Sequence, residues 1–169
     1  RLTAQDAYHN TLNTQLQTDY GLPAVTQWVL PNTETATLNG SSNYGSTVTN
    51  FTPTGQIFSQ ARSLVVTQGN NPWDAGHLYK NTSAIANGDK CLLVLWLRSP
   101  TPYAKVNIFA ENNTTYFKEA FAAVNISTGW KMYAVPFASS AAYVVNSLNC
   151  GLHLALLNQT HGLVIDWDL

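Results

Sequence analysis

From Val25 onward, the chain is a succession of short runs rich in β-branched and aromatic residues, separated by turn residues. Asn39-Gly40 and Thr128-Gly129 are typical separators, because Gly and Asn tolerate the backbone angles of tight turns. Short strands at roughly regular spacing indicate a β-sandwich or jelly roll, so an all-β fold is predicted. The predicted strands are Val25–Leu30, Thr35–Leu38, Thr47–Phe51, Ala61–Gln68, His77–Asn81, Cys91–Arg98, Ala104–Glu111, Thr115–Ala122, Trp130–Phe137, Leu148–Leu157 and Leu163–Leu169.

Two of these strands indicate how the sheet faces are divided. The run Ala104–Glu111 alternates apolar with polar residues, and Asn107 lies among the polar ones. In Gly151–Leu157, three Leu residues alternate with His153 and Ala155. The sequence therefore predicts one core face and one half-polar face, which is open to a ligand or to solvent.

The first twenty residues follow a different period. Tyr8, Leu12 and Leu16 fall on one side of a 3.6-residue repeat, which predicts a helix over about residues 4–18 that ends near Gly21. This helix is expected either to pack on the sandwich or to form part of a linker. The predicted division is an N-terminal helical segment over residues 1–22 and a β-sandwich domain over residues 23–169.

The low charge of the chain excludes several classes of function. Charged residues make up 10% of the 169 residues, against roughly 25% in ordinary soluble domains. A net charge of −1 with scattered basic residues argues against nucleic-acid binding, which needs clustered Lys and Arg. No apolar run reaches the roughly 18–20 residues of a membrane span. A polar, uncharged surface is typical of secreted and sugar-binding proteins.

Further features favour an extracellular location. Seven Asn-x-Ser/Thr sequons predict glycosylation, since such acceptors are used in secreted proteins. Cys91 and Cys150 are the only cysteines, and they form either one disulfide or two buried thiols. The sequons lie at Asn39, Asn50, Asn81, Asn112, Asn113, Asn125 and Asn158.

A series of short motifs in the second half of the chain resembles a known family. They are Gly55-Gln56-Ile57-Phe58, Asn71-Pro72-Trp73-Asp74, Gly88-Asp89, Leu95-Trp96-Leu97-Arg98-Ser99, Gly129-Trp130-Lys131, Val135-Pro136-Phe137 and Val164-Ile165-Asp166. In this order they resemble the jelly-roll, galactose-binding-like carbohydrate-binding modules, such as the non-catalytic module of some family 10 xylanases. The resemblance covers about residues 50–169. It implies a non-catalytic module that binds a β-linked polysaccharide such as xylan or cellulose, with a tethered glycoside hydrolase as an expected partner.

Sugar binding requires aromatic faces for the pyranose rings and amides or charged groups for the hydroxyls. Trp73 lies in a polar loop where core packing does not require it, so it is the first candidate platform, with a loop anchor as the alternative. Glu111 and Lys118 are expected to form an ion pair across a hairpin. The predicted ligand-binding residues are Trp73, His77, Tyr79, Asn107, His153 and Gln159.

No catalytic residues are predicted. Glycoside hydrolysis needs two carboxylates that face each other across the scissile bond, and Asp166 and Asp168 instead share one strand face. No nucleophile elbow, phosphate loop or zinc signature occurs, and no cofactor is expected. A structural Ca²⁺ is left open, with Asp74, Asp89, Asp166 and Asp168 as its candidate ligands.

A function of a different class also fits the composition. Low charge, many sequons and a polar N-terminal segment suit a glycosylated structural subunit of an extracellular filament or surface layer. Strand addition at an open sheet edge would join such subunits, so self-assembly is the alternative to polysaccharide binding.

Overall fold

A computed structural model describes residues 4–30, 41–67, 73, 75–100, 104–154 and 164–168, over which one helix precedes ten strands. The helix α1 spans Ala4–Tyr20, and the strands are β1 Ser41–Tyr44, β2 Ser46–Phe51, β3 Ala61–Val66, β4 Gly76–Lys80, β5 Lys90–Arg98, β6 Lys105–Asn112, β7 Lys118–Asn125, β8 Lys131–Ala138, β9 Leu148–Leu154 and β10 Val164–Asp168.

The strands form two antiparallel five-stranded sheets, which confirms the predicted all-β sandwich. The order β1-β4-β9-β6-β7 defines the front sheet, and the order β2-β3-β10-β5-β8 defines the back sheet. Sequence neighbours therefore often lie in opposite sheets, as in a jelly roll. Among the helices of the described residues, none has both the length and the apolar character required to cross a bilayer.

From Thr47 onward each predicted strand has an observed counterpart, and the two sets differ before Thr47. The predicted strand Thr115–Ala122 is displaced, because β7 runs over Lys118–Asn125 and residues 115–117 lie in the turn before it. The segment Val25–Leu30 is irregular, because its backbone groups bond elsewhere: Val25 donates to Asn13 Oδ1, and the Val29 carbonyl accepts from Thr82. The strand Ser41–Tyr44 was not predicted, and it pairs with β4 at the edge of the front sheet. The predicted strand Thr35–Leu38 lies outside the described residues.

The core between the sheets follows the predicted alternation. On β6, Val106 and Ile108 point inward and are fully buried, and Ile108 lies opposite Leu152 of β9. Leu64 and Leu95 face them from the back sheet and are also fully buried. The alternate positions of β6 and β9 must therefore point outward, as a period of two requires.

Helix α1 forms a third layer. Tyr8, Leu12 and Leu16 lie four residues apart, are all buried, and pack on the face of the back sheet that points away from the core. The partly buried aromatic residues Trp96 and Trp130 also belong to this apolar cluster between the helix and the back sheet. The helix ends when Gly21 adopts a φ of 62° and its N–H bonds to the Gln17 carbonyl.

The helix layer gives a direct test of this packing. Leu12 is 1% exposed, so Leu12→Ala is expected to lower the free energy of unfolding by about 2–5 kcal/mol through lost burial and a residual cavity. The matched control Thr14→Ala changes an exposed residue of the same helix and should shift stability by less than about 0.5 kcal/mol. Denaturant unfolding measures both, and equal effects would show that the helix does not pack as described.

Candidate functional site

The outward side of the front sheet is the candidate site. We define the front face as the outward-pointing side chains of β6, β7 and β9. Strand register fixes its neighbours, since Asn107 lies opposite both His153 and Ala123, and Phe109 lies opposite Phe121. The front face consists of Lys105, Asn107, Phe109, Glu111, Lys118, Phe121, Ala123, Asn125, Asn149 and His153.

A closely packed cluster occupies the centre of this face. Phe109 is fully buried, and the His153 ring stacks on it with centroids 4.0 Å apart and planes tilted by 15°. The Lys118 ammonium lies 5.1 Å from the Phe109 ring centroid and forms the predicted ion pair with Glu111. Burial, with a contribution from the Lys118 charge, lowers the pKa of His153 to about 4, so the imidazole is neutral at pH 7.

Phe121 provides an exposed aromatic surface beside this cluster. Its side chain is 52% exposed, and Ala123 and Asn125 follow it as exposed positions along β7. Sequence reasoning missed Phe121, although a signal was present. In the run Ala120–Val124, the inward residues alternate with Phe121, which places its ring on the outward face.

Trp73 lies at one end of the front sheet. Its side chain is 62% exposed, which agrees with the prediction that the core does not require it. Trp73 precedes Gly76, and Gly76 lies opposite His153 on β9. The topology therefore brings Trp73 to the same end of the sheet as His153 and Asn107, while Gln159 lies outside the described residues.

His77 and Tyr79 do not belong to this face, which corrects their predicted role in ligand binding. They do share one face of β4, but that face points into the sandwich, and both side chains are fully buried. The two rings are 5.4 Å apart, and the buried Arg62 guanidinium lies 5.9 Å from the Tyr79 ring. Burial, with the Arg62 charge, lowers the pKa of His77 to about 3, so a neutral imidazole is kept in the interior.

The cysteines also differ from one prediction. Cys91 on β5 and Cys150 on β9 are free thiols in this structure, so the predicted disulfide does not describe it. Of the alternative of two buried thiols, Cys150 is buried and Cys91 is only partly buried. Both contribute to the core between the sheets as small apolar side chains. Burial, with a contribution from nearby Cys91, raises the pKa of Cys150 to about 12, so this thiol stays protonated.

Three of the carboxylates with described side chains have structural partners. Glu111 pairs with Lys118, Glu119 accepts hydrogen bonds from Ser140 and Tyr143, and Asp89 accepts one from the Ala86 N–H. Over the same residues, no group of three or more His, Cys, Asp or Glu side chains is placed to bind a metal ion. Asp74 and the side chains of Asp166 and Asp168 lie outside the described part of the structure.

The sequons have different structural roles. Asn81 is fully buried and makes four hydrogen bonds: its Nδ2 donates to the carbonyls of Ser83 and Val144, and its Oδ1 accepts from two backbone N–H groups. No space remains there for a glycan, which corrects the prediction for Asn81. Asn125 is exposed on the front face. Asn39, Asn158 and the Asn50 side chain lie outside the described set.

Asn81 and Asn125 form a matched pair for a stability test. Asn81→Ala is expected to lower the free energy of unfolding by at least about 2 kcal/mol, because it leaves buried backbone groups without partners. Asn125→Ala, at an exposed position, should be neutral within about 0.5 kcal/mol. Chemical denaturation measures both values, and a neutral Asn81→Ala variant would contradict the structural role.

The neutral His153 predicts a pH dependence of stability. Its pKa is about 4 in the folded protein and about 6.5 in an unfolded chain, so unfolding takes up a proton between these values. The stability that His153 contributes is therefore complete above about pH 6.5 and is lost as the pH falls towards 4. Between pH 7 and pH 5, the free energy of unfolding should fall less steeply for His153→Gln than for the unmodified protein. Equal slopes would refute the assignment.

Comparisons with known proteins agree on the fold. No protein-family model and no curated protein matches the sequence. Among solved structures, a CBM4 module is 17% identical, covers 77% of this chain and 91% of its own, and has a TM-score of 0.61. The N-terminal cellulose-binding domain of Cellulomonas fimi β-1,4-glucanase C is 15% identical, with coverages of 80% and 89% and a TM-score of 0.58.

A third structure extends the likeness to a further module class. The CBM22-1 xylan-binding domain of Paenibacillus barcinonensis Xyn10C is 14% identical, covers 80% of this chain and 85% of its own, and has a TM-score of 0.57. In each case the match spans most of both chains at low identity, so the likeness is one of fold. This chain has a jelly-roll β-sandwich fold similar to that of carbohydrate-binding modules.

Proposed function

We propose that this chain is a non-catalytic polysaccharide-binding module and that the front face is its binding surface. One observation carries the proposal: helix α1 packs on the outer face of the back sheet, whereas the front face presents an exposed aromatic ring among polar groups. Solved structures described as cellulose-binding and xylan-binding domains have the same fold, which supports this class of function.

The chemistry of the front face suits an uncharged sugar chain. An exposed aromatic ring such as Phe121 packs against the apolar C–H side of a pyranose, and the amides of Asn107 and Asn125 bind its hydroxyls. Lys118 is paired with Glu111, so the exposed cations that remain on this side of the described front sheet are Lys105 and, opposite Asn149 on β4, Lys80, and these two do not form a basic cluster. That charge balance favours a neutral glycan over a polyanion.

The shape of the exposed strip favours an extended glycan. Phe121, Ala123 and Asn125 follow one another at alternate positions of β7, so they span roughly 13 Å at about 3.3 Å per residue. A straight strip of this kind fits an extended β-linked chain such as xylan or cellulose. Trp73 is exposed at the end of the same sheet at which Asn125 lies, and it provides a second aromatic contact for a chain that leaves the β7 strip at this end and turns towards β4.

The proposed role of the module is to keep an attached enzyme at its substrate. We propose a secreted protein in which the module keeps a tethered glycoside hydrolase close to an insoluble polysaccharide, which raises the effective concentration of the enzyme. Glu111, Glu119 and Asp89 are engaged in structural contacts, which supports a role without catalysis.

Retention of the purified domain on insoluble xylan, cellulose, mannan and chitin tests this function. Phe121→Ala and Trp73→Ala should each weaken retention on the bound polysaccharide by about tenfold, since an aromatic contact is worth roughly 1–1.5 kcal/mol. Tyr20→Ala is the matched control, because it removes an exposed aromatic ring at the end of helix α1 and should leave retention unchanged.

Two results would contradict the proposal. Absence of retention on every polysaccharide would reject the binding function. Retention that Phe121→Ala and Trp73→Ala leave unchanged would place the binding surface away from the front face.

A further inference from the structure

The turn between β6 and β7 carries two large exposed aromatic residues. Tyr116 is 66% exposed and Phe117 is 57% exposed, and they follow one another at the tip of the hairpin. Neither ring is needed to fill the core. Both residues lie just before the start of β7, at the end of the front sheet opposite to Trp73. Asn112 pairs with Leu148 at this end, whereas Gly76 pairs with His153 at the other end.

The backbone at Tyr116 adopts an unfavourable conformation. Its φ of 58° lies in the left-handed region, where Gly and Asn are common and a tyrosine is strained. Burial of the ring does not compensate for this strain, because the ring projects into solvent. Strained residues whose side chains the fold does not use are found disproportionately where a ligand is bound, so the Tyr116 ring itself requires an explanation.

Hydrogen bonds hold the turn in one conformation. Asn112 Oδ1 accepts bonds from the Thr114 and Thr115 N–H groups at 2.8 and 2.9 Å, and the Asn112 carbonyl accepts one from the Tyr116 N–H at 2.9 Å. This Asx-type arrangement fixes the position of Tyr116 before any ligand binds. A turn whose backbone is already ordered loses little backbone entropy when a ligand binds to it.

A second turn supports the first. Asn113 donates through its backbone N–H to the Ser147 carbonyl at 3.0 Å, and through Nδ2 to the Asn146 carbonyl at 2.7 Å. Asn146 also has a positive φ, of 66°. The turns before β7 and before β9 are therefore joined into one rigid unit.

A shallow cavity adjoins this unit. Its volume is about 500 Å³, which falls in the roughly 300–1,000 Å³ of small-ligand sites. The residues that line it are aromatic, hydroxyl-bearing or small, and none is basic. They are Asn112, Thr115, Phe117, Ser140, Ala141 and Tyr143.

A carboxylate is fixed behind the cavity wall. Glu119 accepts hydrogen bonds from the Ser140 N–H at 2.9 Å, the Ser140 hydroxyl at 2.7 Å and the Tyr143 hydroxyl. Burial alone would raise the pKa of Glu119, but these bonds outweigh it and lower the pKa, so the group is ionised at pH 7. The carboxylate therefore holds Ser140 and Tyr143, which line the cavity, in fixed positions.

We infer that this hairpin end, formed by residues 112–117 and 139–147, is a second carbohydrate site, separate from the front face. Tyr116 and Phe117 present aromatic faces to one or two pyranose rings, and the Ser140 and Thr115 hydroxyls bind sugar hydroxyls. The fixed carboxylate and the lack of a basic lining residue disfavour an anionic ligand. The inference rests on the proposed function only for the class of ligand.

Nuclear magnetic resonance titration of the isotope-labelled domain with cello-, xylo-, manno- and chito-oligosaccharides tests the site residue by residue. Binding at the hairpin end should shift the amide signals of residues 112–117 and 139–143. Binding at the front face should shift those of Asn107, Phe121 and His153. The two sets separate failure of this inference from failure of the proposed function.

Tyr116→Gly is the decisive variant. Glycine adopts a positive φ without strain, so the unfolding temperature of the variant should stay the same or rise. The affinity measured from the chemical-shift changes at the hairpin end should fall at least fivefold. Phe117→Ala should weaken them as well, and Phe121→Ala should leave them unchanged.

Three results would overturn the inference. The first is the absence of chemical-shift changes at residues 112–117 and 139–143 with any oligosaccharide. The second is chemical-shift changes that Tyr116→Gly leaves intact. The third is changes that depend on protein concentration without sugar, which would identify a second copy of the chain as the occupant.

Discussion

The apolar contact between helix α1 and the back sheet determines which surface of the sandwich is free. Both faces of an all-β sandwich sheet cannot be apolar in water unless something covers the second one. Trp96, Trp130 and Met132 make the outer face of the back sheet apolar, and Tyr8, Leu12 and Leu16 cover it. Among the described residues, the front sheet has no such apolar outer layer, and its outward positions are instead a polar mixture around Phe109 and Phe121. The outer face of the front sheet can therefore remain exposed to water and still present aromatic surface.

Local pattern predicted most of the strands, because alternation is a local property. It identified β6 and β9 and their polar positions, so Asn107 and His153 were placed correctly on the outward face. The pattern could not show which side of β4 points inward, because both sets of alternate positions contain polar and apolar groups. His77 and Tyr79 turn inward because the core contains the buried Arg62 beside them, and that neighbour belongs to β3 of the opposite sheet, so the alternation within β4 does not reveal it.

Two of the remaining misses have the same origin in long-range contacts. Ser41–Tyr44 has no alternation of its own and becomes a strand only by pairing with β4. Asn81 reads as a glycosylation acceptor, yet its side chain bonds groups more than sixty residues away, at 147 and 148. The exposed Tyr116 was missed for a local reason instead: the run Thr115–Ala122 predicted a strand, whereas bonds to Asn112 hold residues 113–117 in a turn.

The two proposed sites are close enough to act on one glycan. Tyr116 and Phe121 are five residues apart, so at most about 17 Å of extended chain separates them. A polysaccharide held on the front face brings its neighbouring units to the hairpin end at a high effective concentration, and two weak contacts then give a strong attachment without a deep pocket. This arrangement suits a chain with so few charges, because shallow aromatic sites on rigid turns and strands need no electrostatic attraction to hold a neutral polymer.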